Sequence, residues 1–248
     1  MYNNLIVEKI AIIGTGGFAR EVLCLIQDIN RQKTSYEILG FIDNVDQHVH
    51  GYPVVGNDKE INATKTPIAV VLAVGDPKMK ERIVRQYDNP LISFPTLIHP
   101  SVIMGENVKI GKGCIICAGC ILTTDLVVKD FVTLNLSCTV GHDSVIGDYC
   151  SMMPSVNVSG EVNMNDSVYV GTGSKIINQV DIGEGTVIGA GAVVTKTLPA
   201  NCTAVGVPAK VIKYHDGTDK IQKINNLMGG GNTLIIKHTL LHITRIAA

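Results

Sequence analysis

The chain has 248 residues, enough for one or two domains, and is 46% hydrophobic but only 4% aromatic, without tryptophan. Its formal net charge of −1 and its scattered basic residues exclude the strongly positive surface of a typical nucleic-acid-binding protein. No segment is apolar over the roughly 18 residues that a membrane span needs, and the first residues lack the pattern of a secretory signal, so we expect a cytoplasmic location.

Residues 1–95 predict a small α/β domain, because apolar strand-like runs alternate with helical patterns. The predicted strands cover residues 9–13, 36–42, 52–56 and 67–74. The predicted helices cover residues 22–29 and 77–87, and the second begins with a proline in its first turn. Such alternation is typical of a small parallel sheet covered by helices.

A glycine-rich turn, Gly14-x-Gly16-x-x-Ala19, lies between the first strand and the first helix. In this context glycines let the backbone approach a diphosphate, and the helix N-terminus attracts its negative charge. Asp43 ends the next predicted strand, where an acidic residue can bind a ribose. The alternatives are a tight turn without a ligand and a plain strand-end aspartate. An NAD-linked enzyme is disfavoured, because so short a domain provides only about one mononucleotide-binding half.

From residue 98 to residue 194, an aliphatic residue or methionine occupies every sixth position without interruption. A fixed short period is typical of a solenoid and fits neither the 3.6-residue period of a helix nor simple strand alternation. A second row, four residues further on in each repeat, holds mostly small or β-branched residues. One long and one small inward residue in each repeat predict a narrow three-sided β-prism, with coils of about 18 residues and five to six coils in all.

Glycine directly follows the aliphatic residue in several repeats, and we expect these glycines to adopt positive φ at tight corners. They are Gly105, Gly111, Gly141, Gly147, Gly171, Gly183 and Gly189.

Four of the seven cysteines fall in the small-residue row, so we predict that they are reduced core residues in a cytoplasmic protein. These are Cys114, Cys120, Cys138 and Cys150. Cys114 and Cys117 have the spacing of a metal-binding pair, but they point to opposite sides of the repeat and no second pair follows. We therefore predict no metal site.

His142 is two residues beyond an inward valine, so we expect its side chain to face outward. An exposed histidine beside Asp143 can act as a general base, because the carboxylate orients the ring and raises its basicity. The alternative is an inert surface histidine. Asn135 is either a corner residue, since asparagine tolerates left-handed backbone, or a hydrogen-bond partner of a substrate.

Three segments resemble the hexapeptide-repeat acyltransferases, in the branch of bacterial nucleotide-sugar N-acetyltransferases and sialic acid O-acetyltransferases. They are residues 135–147, residues 188–196 and residues 205–210, and they occur together with the N-terminal motifs around Gly16 and Asp43. The resemblance implies a small Rossmann-like α/β domain followed by an all-β left-handed parallel β-helix. It also implies acetyl-CoA as donor and a homotrimer with its sites between subunits.

The resemblance assigns roles by position. His142 is the implied catalytic base, Asp143 its acidic partner, and Asn135 a neighbour of the reacting group. The implied contacts of the nucleotide sugar are Gly16, Gly17, Phe18, Asp43, Asn44 and Gly75. Thr172 and Ala190 are implied to bind acetyl-CoA, and Ser151 stands on the donor side where some relatives carry a second histidine.

We therefore predict an acetyl-CoA-dependent N-acetyltransferase that acts on a nucleotide-linked amino-deoxy sugar in surface polysaccharide biosynthesis. The alternatives are O-acetylation of a sialic acid or another sugar hydroxyl, and a non-catalytic trimeric scaffold that binds sugar nucleotides. The predicted domains are residues 1–95, 96–213 and a tail, 214–248. Around its glycine run the tail could form a capping helix, a strand or an incidental extension.

Overall fold

A computed structural model describes residues 7–45 and 48–215, so the tail interpretation lies almost wholly outside the described residues. The N-terminal domain is a six-stranded sheet with helices on both sides, ordered β3-β4-β2-β1-β5-β6. Its strands are β1 (Glu8–Ile13), β2 (Tyr36–Ile42), β3 (His48–Val49), β4 (Tyr52–Gly56), β5 (Ile68–Leu72) and β6 (Ile92–Ser93). Its helices are α1 (Gly17–Gln32), α2 (Asp58–Asn62) and α3 (Pro77–Val84).

The predicted α/β domain is confirmed, with one difference at the sheet edge. The strands pair in parallel except for the antiparallel pair β3–β4, so the sheet is mixed. The central strand β1 is buried on both faces, from Ile10 to Ile13. The parallel register brings the carboxyl ends of β1, β2 and β5 to one edge, which is where ligands bind in open sheets of this kind.

The solenoid consists of short parallel strands that turn a corner every six residues. They are β7 (Leu97–Ile98), β8 (Ile103–Met104), β9 (Lys109–Ile110), β10 (Ile115–Ile116), β11 (Ile121–Leu122), β12 (Val127–Val128), β13 (Thr133–Leu134), β14 (Thr139–Val140), β15 (Val145–Ile146), β16 (Ser151–Met152), β17 (Asn157–Val158), β18 (Asn163–Met164), β19 (Tyr169–Val170), β20 (Lys175–Ile176), β21 (Asp181–Ile182), β22 (Val187–Ile188) and β23 (Val193–Val194). A terminal antiparallel hairpin, β24 (Cys202–Val205) and β25 (Lys210–Tyr214), follows.

These strands stack into three flat faces. Face 1 contains β7, β10, β13, β16, β19 and β22 and continues into the hairpin; face 2 contains β8, β11, β14, β17, β20 and β23; face 3 contains β9, β12, β15, β18 and β21. Each strand pairs in parallel with the strand one coil further on, as Leu134 does with Met152. The coil length and the number of coils agree with the sequence period.

The two predicted inward rows form one continuous core. Leu122, Leu134 and the other long side chains of the central coils are fully buried, and so are the four cysteines of the small-residue row. The first coil is less complete, since Met104 is 42% exposed. At the other end β24 pairs with β22, and Ala204 is buried against the core.

The expectation about the corner glycines is wrong. None of the seven has a positive φ; the left-handed residue lies three positions after each aliphatic residue instead, as at Asp143 (φ 57°) and Tyr149 (φ 60°). The glycines permit a close approach of neighbouring coils. A Cβ atom on Gly147, for example, would lie 2.5 Å from the carbonyl carbon of Asn165. Where this row contains glycine, close contact with the next coil, and not backbone conformation, is therefore the cause. At Gly189 the nearest atom is a side-chain carbon of Val205.

The N-terminal domain packs on face 1 of the solenoid. Leu97 and Ile115, whose side chains point outward from the prism, join the apolar cluster of α1 and are buried. On the other side of the sheet Phe131 and Tyr149 stack in parallel with ring centroids 5.3 Å apart and join the cluster beside α3. The domain thus covers one face of the prism and leaves the other two open.

Candidate active site

The glycine-rich turn lies at the carboxyl edge of the sheet, as its motif predicts. Gly14 directly follows β1 and adopts φ +93°, a conformation that favours glycine. Gly16 is the N-cap of α1 and supplies no side chain to the first turn, and that turn contains no acidic residue. The exposed backbone around Gly16 and Gly17, at the positive end of the helix dipole, is suited to bind an anion such as a diphosphate.

Asp43 lies beside this turn and its carboxylate is held at both oxygens. Thr15 donates its hydroxyl hydrogen to Oδ2 at 2.7 Å, and the backbone N–H of Asn44 donates to Oδ1 at 2.7 Å. Phe18 is half-buried against the apolar cluster of α1, whereas Asn44 is exposed. Sequence reasoning missed Thr15, although its hydroxyl stands inside the glycine motif, where a polar residue can reach the end of the next strand.

The edge of the sheet faces the corner between face 1 and face 2. Gly75, shortly after β5, lies beside Met153: a Cβ atom on Gly75 would make an ordinary contact with its Cε at 3.8 Å. Asn135 is one coil below Met153, is only 6% exposed, and accepts a hydrogen bond from the N–H of Leu136 at 2.7 Å. Its φ is not positive, because Ser137 is the left-handed residue of that turn. The interpretation of Asn135 as a residue with left-handed backbone is therefore wrong, although the residue does lie at this corner.

Thr172 and Ala190 occupy the same corner two and three coils beyond Leu136. Both are exposed, and the N–H of Gly191 donates to the carbonyl oxygen of Thr172 at 2.8 Å, which places the two on neighbouring coils. With Leu136 and Pro154 they form a row parallel to the prism axis. Coils are about 4.8 Å apart, so an extended ligand can contact several members at once.

The structure contradicts the donor-side role of Ser151. This residue points outward from face 1, the face on which the N-terminal domain packs, and its exposed fraction is 0%. Its hydroxyl has no hydrogen-bond partner in the described structure. A cofactor could reach Ser151 only if the domain were displaced, so we remove it from the candidate cofactor site.

His142 lies at the next corner, between face 2 and face 3, and faces outward as predicted. Its Nδ1 is 2.8 Å from Oδ2 of Asp143, and both side chains are more than half exposed. The left-handed backbone of Asp143 turns its carboxylate toward the ring. When the carboxylate accepts a hydrogen bond from Nδ1–H, Nε2 carries the lone pair and can act as a base.

Within one chain the two parts of the candidate site do not meet at one corner. Face 2 separates the His142 corner from the row that contains Thr172 and borders the sheet edge at Gly75. The strands between them are β14, β17, β20 and their neighbours on face 2.

Lys80 is a buried cation that sequence reasoning missed. It reaches from α3 into the solenoid, where its Nζ donates to the carbonyl oxygens of Phe131 (2.7 Å) and Cys150 (3.1 Å) and to Oγ1 of Thr133 (3.3 Å). Burial lowers the pKa of Lys80 to about 7. The contacts join the N-terminal domain to two successive coils.

Among residues 7–45 and 48–215, no group of three or more His, Cys, Asp or Glu side chains is arranged to hold a metal ion. No helix in that part of the chain is long and apolar enough to cross a membrane.

Comparison with known families gives a match in the N-terminal domain. Residues 9–87 match the PglD N-terminal domain. The chain is also 30% identical over 135 residues to the GDP-perosamine N-acetyltransferase of Escherichia coli O157:H7. The match covers 53% of this chain, and it spans only 61% of that relative's length.

Solved structures extend the similarity over both domains. The acetyltransferase domain of PglB from Neisseria gonorrhoeae, in complex with acetyl-CoA, is 30% identical, with a TM-score of 0.77 over 83% of this chain and all of that one. PerB from Caulobacter crescentus, in complex with CoA and GDP-perosamine, is 29% identical, with a TM-score of 0.76 over 84% of this chain and 99% of that one. The solenoid therefore has the left-handed β-helix fold that the sequence resemblance implied.

Proposed function

We propose that this chain, a homologue of the PglB and perosamine acetyltransferases, transfers the acetyl group of acetyl-CoA to the amine of a nucleotide-linked amino-deoxy sugar. The observation that carries the proposal is the exposed His142 bonded to Asp143, on a solenoid that matches an acetyl-CoA-bound domain along its full length. Such a product is a building block for surface polysaccharides.

His142 acts as the general base. As the amine nitrogen attacks the thioester carbonyl, Nε2 takes the proton that the nitrogen loses, and a tetrahedral intermediate forms. When this intermediate collapses, the carbon–sulfur bond breaks. The CoA sulfur takes the proton from Nε2 of His142 and leaves as a thiol. Asp143 keeps the ring in one tautomer, with its hydrogen on Nδ1.

The N-terminal domain holds the nucleotide. The diphosphate binds at the start of α1, at Gly16, Gly17 and Phe18, and Asp43 with Asn44 binds the ribose or the base. Gly75 leaves room for the sugar between β5 and the solenoid corner. Asn135, at the same corner, orients the reacting group.

Acetyl-CoA binds along the row that contains Thr172 and Ala190. Both residues are exposed on successive coils, and a pantetheine arm is long enough to follow such a row.

The active enzyme is a homotrimer with its sites between subunits. In a single chain the nucleotide edge and His142 border different corners of the prism, so the sugar of one copy reaches the base of another. A cytoplasmic location is supported by the seven cysteines, which are all free.

The direct test offers the purified protein acetyl-CoA with a panel of UDP-, GDP- and dTDP-linked sugars. The panel contains amino-deoxy sugars and their hydroxyl counterparts, and the readouts are release of the CoA thiol and the mass of the sugar nucleotide. We expect acetylation of one or more amino sugars only. Acetylation of hydroxyl sugars alone would replace the proposal by O-acetylation. Binding of sugar nucleotides without any thiol release would indicate a scaffold.

The shared site is tested by mixing two inactive variants. His142→Ala lacks the base and Asp43→Ala lacks the nucleotide contact, so each homotrimer is expected to be impaired. After the subunits exchange, mixed trimers contain sites with both intact residues and regain activity. If mixed trimers stay as inactive as the parents, the two residues serve a site within one chain.

A further inference from the structure

One row of the solenoid contains a single glycine that the fold does not require. The row lies two positions after each residue of the aliphatic row, and from Pro100 to Lys196 every other member carries a side chain. Alanine itself occupies the position at Ala118 and Ala190. Gly160 is the exception, and its φ is not positive, so its backbone conformation suits any residue.

Gly160 differs from the other row members in what lies on the preceding coil. His142 is the same row member one coil earlier, and the N–H of Glu161 donates to its carbonyl oxygen at 2.7 Å. A Cβ atom built on Gly160 would lie 2.5 Å from Nε2 and 2.6 Å from Cε1 of His142. Real Cβ contacts are essentially never shorter than 3.0 Å. The imidazole therefore occupies the space that any other side chain would need.

The neighbouring glycines show a different cause. Cβ atoms on Gly141, Gly147 and Gly171 would collide with backbone atoms of the next coil, so glycine serves coil stacking there. At Gly160 the three nearest atoms all belong to the ring of His142. The ring is thus positioned twice: Asp143 binds Nδ1 at 2.8 Å, and Gly160 leaves room for Nε2 and Cε1.

We propose that Gly160 is a positioning residue for the base: its missing side chain lets the imidazole of His142 lie against the next coil, with Nε2 held where it receives the substrate proton. The inference rests on the proposed function. A methyl group at residue 160 must push the ring outward, and this movement displaces Nε2 and loosens the contact with Asp143. A displacement of about 1 Å at a reacting group can lower a rate about 100-fold.

The test compares Gly160→Ala with Asn178→Ala, which alters the same row one coil further on. We expect Gly160→Ala to lower kcat about 100-fold with the KM values for both substrates within about threefold of wild type. The His142 ring resonances, assigned by their loss in His142→Ala, should shift in the NMR spectrum. The unfolding midpoint should equal that of Asn178→Ala, which should keep wild-type kcat and resonances.

Each result has a distinct meaning. Wild-type kcat with unchanged His142 resonances in Gly160→Ala would overturn the inference, and so would a loss of stability far beyond that of Asn178→Ala. If the wild type acetylates nothing in the sugar panel, the proposed function fails. The resonance shift still decides in that case whether Gly160 positions the ring.

Discussion

The solenoid and the N-terminal domain use their residues in different ways. In the solenoid each environment recurs, so Leu122, Leu134 and Met152 are all fully buried in the same row on different coils. In the N-terminal domain no environment recurs: Gly14 and Asp43 each owe their place to the end of one particular strand. An exception to a row is therefore the informative signal in the solenoid, whereas strand order is the informative signal in the other domain.

The exceptions fall into two classes. Gly160 departs from its row beside an exposed histidine. Thr133 and Ser151 have ordinary outward positions, yet they are buried because the N-terminal domain covers them. A departure in residue type thus points to chemistry, and a departure in burial points to domain docking.

The largest expected effect is the loss of activity when the proposed base, His142, is replaced. His142→Ala should lower kcat by about 100- to 10,000-fold, the usual contribution of a general base, while binding of acetyl-CoA is retained. Steady-state kinetics and calorimetric titration with acetyl-CoA check this. His215→Ala, at a histidine bonded to Thr203 on the terminal hairpin, is the matched control and should keep full activity. Nearly full turnover in His142→Ala would remove the histidine from the mechanism.

Replacement of a glycine by alanine should affect stability differently in the solenoid and in the N-terminal domain. Gly147→Ala forces a methyl group against the backbone of the next coil and should lower the free energy of unfolding by about 1–3 kcal/mol. Gly16→Ala meets no atom within 4 Å and should leave stability within about 0.5 kcal/mol, while it weakens nucleotide binding. Urea unfolding and nucleotide titration measure both. Equal losses of stability would contradict the distinction.

Lys80 joins the N-terminal domain to the solenoid and should make the free energy of unfolding depend on pH. Its pKa is about 7 in the folded protein and about 10.5 in the unfolded chain. Above pH 7 the unfolded state therefore binds a proton that the folded state lacks, and stability rises with pH, by up to about 1.4 kcal/mol per unit. Below pH 7 both states are protonated and the contribution of Lys80 is constant.

Lys80→Met leaves an unbranched side chain that is one atom shorter and does not titrate. Between about pH 7 and pH 8.5 the variant should lack the rise in unfolding free energy that the wild type shows. The range ends there because the buried thiols of Cys114 and Cys150, whose pKa values are raised to about 11 and about 12 by burial, act in the opposite direction at higher pH. A wild-type slope in the variant would assign the pH dependence to other groups.

The smallest expected effect is a change in the KM for the nucleotide sugar when Thr15, which supports Asp43 at the end of β2, is replaced. Thr15→Val removes one hydrogen bond to Asp43 and should raise the KM for the nucleotide sugar about 2- to 10-fold without changing kcat. Ser35→Ala, whose hydroxyl bonds Lys33 at the opposite edge of the sheet, should leave both constants unchanged. Equal KM values for wild type and Thr15→Val would indicate that Asp43 needs no support from Thr15.

The sequence was sufficient for the solenoid because every coil repeats the same local contacts. The period of six alone predicted the inward position of Cys138 and the outward position of His142. It did not predict which residue of a turn is left-handed, since glycine in a row has two possible causes, conformation and contact. Gly147 has the second cause, and spacing cannot distinguish them.

The six-residue period could not predict how the N-terminal domain docks on the solenoid, because contacts between two different domains do not repeat along the sequence. The burial of Ser151 was missed for this reason. Lys80 did leave a signal: at helical spacing it shares the buried stripe of α3 with Pro77 and Val84. A lysine on an apolar stripe predicts a buried cation, although its carbonyl partners on distant coils can be identified only in the structure.

The stacking register also restricts how such a chain can change its length. Thr139 and Asn157, 18 residues apart, are paired neighbours, and the strands from β7 to β23 all obey the same rule. Loss of a single residue would turn all later rows to the wrong side, as a register slip does in a sheet. Between His142 and the terminal hairpin, insertions and deletions must therefore come as whole coils or leave the prism as corner loops. The length of the row that contains Thr172, measured along the prism axis, can thus change only in steps of about 4.8 Å.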